Sequence, residues 1–187
     1  MQLSLFAAAL REPLVADVQG LLIGPGQAVR RGTAARISVV VDAPWRAEAL
    51  VAELAARGLG AEIADAAAGH AVRSAFTEAL AGLTARWMRG AVKAMPAGYR
   101  LDDPHLRLWA LAAGEPCPGG WQLRLGPSDV DLWPQAGAAL AAAGLPGVFV
   151  APHAGGPAYR FLRRRHVTRL LESIGDPPAA APGGAWG

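Results

Sequence analysis

The chain holds one cysteine, Cys117, and one lysine, Lys93, in 187 residues. A lone cysteine excludes an internal disulfide and fits a reducing, cytoplasmic setting. No apolar run approaches the roughly 20 residues that cross a bilayer, so no membrane partner is expected. The apolar opening, residues 1–10, lacks the basic start and small-residue cleavage site of a secretory leader. Aromatic residues make up only 6% of the chain, and alanine and glycine supply much of its 52% hydrophobic content. Apolar faces are therefore shallow. The four histidines, His70, His105, His153 and His166, show no zinc-site spacing, and no metal or cofactor is expected. No glycine-rich phosphate loop follows a strand, because Gly24 and Gly26 follow a helical run. No Ser-His-Asp order suggests itself.

Arginine is what the chain has instead. Of 18 basic residues all but Lys93 are arginine, which leaves 17 against 15 acids, and the formal charge is +3. The isoelectric point is about 9.7. Arginine grips phosphates and guanine edges bidentately, so nucleic-acid binding is permitted by this balance and not required by it.

Two runs organise the rest. Residues 20–26 read GLLIGPG and residues 106–114 read LRLWALAAG. Gly20 with Gly24, and Ala110 with Gly114, are four apart and fall on one face of a helix. Such small faces predict two central helices, over residues 14–23 and 104–114, packed at close backbone distance. Each breaks abruptly, at Gly24-Pro25-Gly26 and at Gly114-Glu115-Pro116. A β-branched strand over 35–41 follows the first. Asp42 then caps a helix carrying Pro44 in its first turn. Short strands lie near 61–64 and 71–74, and a helix covers 75–88. After the second central helix come strands over 119–125, 147–151 and 158–162, with helices from Ser128 or Asp129 to Gly144 and from Arg163 to Ile174. The expected boundaries are a first half over 1–90, a linker over 91–103, a second half over 104–175 and a disordered tail over 176–187.

In this order the chain resembles the single-chain, two-half LAGLIDADG homing endonucleases. The resemblance rests on the Gly-Leu-Leu-Ile-Gly helix end and on Trp45 opening a helix. It rests also on Trp87 followed by Lys93-Ala-Met-Pro96, on Trp109 in the second run, and on the closing Tyr159-Arg-Phe and 170–175 segments. It implies an α+β fold of two pseudo-symmetric αββαββα halves, packed through the central helix pair, with a saddle-shaped antiparallel sheet over double-stranded DNA. The family carries a metal-binding acid at the end of each central helix, where hard divalent cations take oxygen ligands. Here those positions are Pro25 and Ala113, which offer none. The resemblance therefore implies a monomeric, non-catalytic DNA-binding protein, a transcriptional regulator or DNA-protecting protein.

Under that reading the DNA contacts fall to Gln27, Arg30, Arg31, Arg36 and Arg73 in the first half, and to Gln122, Arg124, His153 and Arg160 in the second. The cluster Arg163, Arg164 and Arg165 adds charge at a helix start, where phosphates are favoured. Lys93, which matches the family's catalytic lysine, is expected to touch phosphate. Three alternatives stand beside this. Glu115 or Asp17 replaces the lost acids and restores cleavage; the saddle grips structured RNA; or Trp121 and Trp133 anchor a protein partner.

Overall fold

A computed structural model describes residues 11–186. The first half begins with a 3₁₀ turn, Val15–Val18, running into helix α1 (Gln19–Ile23). Strands β1 (Gln27–Arg31) and β2 (Ala34–Val41), helix α2 (Pro44–Ala56), strands β3 (Ala61–Ala66) and β4 (Gly69–Ser74) and helix α3 (Ala81–Trp87) follow. A two-stranded hairpin, β5 (Met88–Arg89) and β6 (Val92–Lys93), opens the connection between halves. The second half comprises α4 (Asp103–Ala113), β7 (Gly114–Cys117), β8 (Gly120–Arg124), α5 (Trp133–Ala142), β9 (Val148–Val150), β10 (Ala158–Phe161) and α6 (Arg164–Ile174). Both four-stranded sheets are antiparallel and share one strand order, β1-β2-β4-β3 and β7-β8-β10-β9. The α+β class and the order of helices expected from the sequence are present, while β1, β5 and β6 are strands that the sequence pattern does not predict.

The central helices meet as their small residues predict, although the two glycine pairs work differently. A Cβ on Gly20 would lie 2.1 Å from the His105 carbonyl oxygen, so α1 can touch the α4 backbone only with glycine there. Gly24 leaves room for the Trp109 indole. Gly114, expected on the helix-helix face, instead makes space for Trp121, whose ring a Cβ would meet at 2.1 Å. Ala110 is fully buried.

In β2 the residues Ala35, Ile37, Val39 and Val41 are buried against the helices, while Ala34, Arg36, Ser38 and Val40 face away. This period of two divides each sheet into a helix side and an open side. Helix α2 buries Leu50 and Leu54, each worth about 1.5–3 kcal/mol relative to exposure. It ends at Gly58, whose φ of 71° suits glycine in the left-handed region.

Three expectations need correction. Asp42 does not cap α2: the N-cap is Ala43, without a side-chain cap bond, and Asp42 pairs with Arg46 one turn on. The segment between α4 and the strand expected from residue 119, for which no strand was expected, forms β7. Pro116 hid it, and β7 tolerates proline because it is an edge strand needing fewer donors. Finally, residues 176–186 are not a loose tail. They return to the core, where Trp186 is buried between Trp45 and Trp121, edge-on to both at 6.4 and 6.3 Å. Its indole donates to the Gly175 carbonyl, and its own carbonyl accepts from Trp121 Nε1. One well-placed aromatic outweighs the proline-, alanine- and glycine-rich character of the segment. Among the described residues, no helix is long and apolar enough to cross a membrane.

Candidate nucleic-acid interface

The last carbonyls of a helix lack intrahelical donors and carry the negative end of its dipole. At the end of α1 the single lysine meets this need. Lys93 Nζ donates to the carbonyls of Leu22 (2.9 Å), Gly24 (2.7 Å) and Gly26 (2.8 Å). It also forms an ion pair with Asp129 Oδ2 at 2.8 Å. Burial pushes its pKa down, and Asp129 opposes that shift. At the end of α4 the guanidinium of Arg46 plays the corresponding part. It donates to the carbonyls of Ala110, Leu111 and Gly114 and lies over the Trp45 ring. Burial lowers its pKa, while Asp42 and Glu115 act in the opposite sense. Both helix ends are thus neutralised by side-chain cations.

These ends open onto a cleft of about 510 Å³ between the two sheets, lined by Pro25, Ala112, Ala113 and Gly114 as well as by strand residues. Pro25 and Ala113 sit where the resemblance puts acids, and they bring no oxygen ligand. The nearby carbonyls of Gly24 and Gly114 already accept from Lys93 and Arg46. The residues present do not fit a divalent metal. Among the described residues, no group of three or more His, Cys, Asp or Glu side chains could hold one. Neither alternative acid remedies this. Asp17 is fully buried before α1, ion-paired to Arg11 and Arg57 and accepting the Leu14 amide. Glu115 lines the cleft, and its Oε1 already accepts from Gln122 and Arg124.

The first-half wall is built by register. On β1, Gln27, Val29 and Arg31 pair with Ser38, Arg36 and Ala34 on the open side. Arg73 lies opposite Ser38 from β4 and joins the same face. Gln27, Ser38 and Arg73 line the cleft. The guanidiniums of Arg31 and Arg36 lie 4.0 and 4.8 Å from the Phe76 ring centroid, a cation-π arrangement that holds both in place. Arg36 Nε is buried with no hydrogen-bond partner among the described residues. Arg30 does not join them. It pairs with the buried Ala35, so it projects on the helix side of the edge strand. Counting basic residues along a strand misses this parity.

The second-half wall is a closed network. Arg124 Nε donates to Glu115, and Arg124 NH1 donates to the Gly155 carbonyl. Gln122, only 4% exposed, donates to Glu115, and its carbonyl oxygen accepts from Arg160 at 3.1 and 3.0 Å. Cys117 shares this face, and burial pushes its thiol pKa up, which disfavours the reactive thiolate.

His153 is exposed on the turn between β9 and β10. Arg163, Arg164 and Arg165 are exposed beyond the end of β10, and they do not line the cleft. Trp121 and Trp133 are poor candidates for anchors on a protein partner. Trp121 is 1% exposed, and Trp133 is half-buried with its indole donating to the Gly126 carbonyl. Sequence reasoning missed Arg46 and Asp129. Arg46 carried one available signal: a basic residue beside Trp45 on the inner side of an amphipathic helix demands a buried acceptor.

Scanned against models of protein families, the chain matches none, and no curated protein is similar to it in sequence. Its fold is similar to a solved structure of the homing endonuclease I-WcaI bound to its DNA recognition sequence. That match has a TM-score of 0.59 and 10% sequence identity, and it covers 87% of this chain and 81% of the other. At that identity the likeness concerns the fold: this chain has a homing-endonuclease-like scaffold.

Proposed function

We propose that this protein binds double-stranded DNA without cutting it, as a transcriptional regulator or DNA-protecting protein on a scaffold derived from a LAGLIDADG-type endonuclease. The observation that carries the reading is the central cleft. Two side-chain cations, Lys93 and Arg46, neutralise the helix ends that border it, where a nuclease needs carboxylates, and Arg73 lines its first-half wall. The first-half sheet beside it presents Arg31, Arg36 and Arg73 on its open face without an ion pair to any described residue, and such a basic face attracts a polyanion. Cleavage through two metals needs oxygen ligands at the helix ends, and Pro25 and Ala113 supply none. Support for DNA as the polyanion also comes from the fold likeness to a DNA-bound endonuclease.

The test is a duplex-DNA titration at two salt concentrations, with structured RNA as competitor. Affinity that falls steeply with salt and survives RNA competition supports the reading. Preferential displacement by RNA would redirect it to a splicing-type function. Absence of duplex binding at low salt would refute it.

A further inference from the structure

The open faces of the two sheets that flank the cleft carry similar numbers of arginines and very different amounts of available charge. In the first half Arg31, Arg36 and Arg73 form no ion pair with any described residue, and Phe76 orients two of them. Glu62 stands across the strand from Arg73 without reaching ion-pair distance. In the second half Glu115 cancels Arg124, and the hydrogen bonds of Arg160 are taken by Gln122, which itself leans on Glu115. A DNA phosphate approaching the first wall meets pre-oriented, uncommitted guanidiniums. At the second wall it must first break contacts with a carboxylate that also repels it.

We infer that the two halves are unequal in DNA recognition. The first-half sheet supplies the ionic grip through Arg31, Arg36 and Arg73, and the second-half sheet is latched shut around Glu115. The inference rests on the DNA-binding reading and divides that binding between the halves. It makes the interface one-sided, on a scaffold whose topology is the same in both halves. Glu115 is then a restraint on affinity: removing its charge frees Arg124 and loosens Gln122.

The experiment compares the salt dependence of binding, by fluorescence anisotropy on a labelled duplex of about 20 base pairs, for the wild type and single variants. Each phosphate contact contributes about 0.9 to the slope of log K against log salt. Arg31→Gln and Arg73→Gln are expected to lower the slope by about 0.9 each. Arg124→Gln and Arg160→Gln are expected to leave it unchanged. Glu115→Gln is expected to raise both slope and affinity at low salt. Arg31 is exposed and on an edge strand, so its replacement reads binding without disturbing the core. Equal slope losses from both walls, or weaker binding by Glu115→Gln, would overturn the division while leaving DNA binding intact. A wild type with no salt-dependent duplex binding would overturn both.

Discussion

Lys93 and Asp129 form a 2.8 Å ion pair between the hairpin that joins the halves and the approach to α5, with the lysine side chain fully buried and the aspartate nearly so. Because the same ammonium closes off α1, this pair couples the end of one central helix to the second half. Lys93→Met strands three carbonyls and a carboxylate. It is expected to cost about 3–5 kcal/mol, the range for breaking a buried pair, in urea denaturation. Asp129→Asn, which leaves a hydrogen-bonding partner, is expected to cost less. A Lys93→Met protein as stable as the wild type would show that the ammonium is not structurally committed.

The helix crossing makes a sharp contrast between two glycines. Gly20→Ala drives a methyl group into the His105 carbonyl and is expected to cost at least about 1–3 kcal/mol through overpacking. Gly82, in α3, has open space around its Cβ position. Gly82→Ala is expected to stabilise the protein by about 0.5–1 kcal/mol. Thermal melts of the two variants should move in opposite directions.

Trp186 is expected to act as a plug rather than a passenger. Trp186→Ala removes the edge-on contacts with Trp45 and Trp121 and the bond to Gly175. The expected loss is about 3 kcal/mol, at the lower end for a buried tryptophan. Loss of protection in the segment after Gly175, seen by hydrogen exchange, checks the structural part. An unchanged exchange profile would contradict it.

Acid should loosen the α2–α4 contact through Glu53. Burial works against its carboxylate, but hydrogen bonds from Arg107 and Arg57 at 2.6 and 2.7 Å outweigh that and hold its pKa below the ordinary value. A depressed carboxylate adds stability that is fully present above the ordinary glutamate pKa of about 4.3, and that is lost as pH falls through the lower folded-state value. Glu53→Gln is expected to lower stability at neutral pH and to flatten the acid limb of a stability-pH profile. A parallel profile would assign the acid limb to other carboxylates.

The sequence made the architecture legible because backbone contact at Gly20 and the β-branched run of β2 leave few alternatives. Spacing alone cannot show which side of a strand a residue takes, and Arg30 is the case in point. Its neighbour Arg31 faces the open side, and only the pairing with Ala34 and Ala35 separates them. The partners of Lys93 were hidden for another reason. Three carbonyls about 70 residues away in sequence, and a carboxylate on a different element, leave no local pattern. Composition misjudged the tail because a single tryptophan decides its placement.

The most direct test of the central claim is duplex binding measured in magnesium and in EDTA, followed by a nicking assay on supercoiled DNA. A cleft whose helix ends are neutralised by Lys93 and Arg46 predicts binding no weaker in EDTA than in magnesium, since no metal contributes to the grip and magnesium only competes for the phosphates. It also predicts supercoiled substrate that stays intact. Metal-dependent nicking, or binding that collapses in EDTA, would contradict the account.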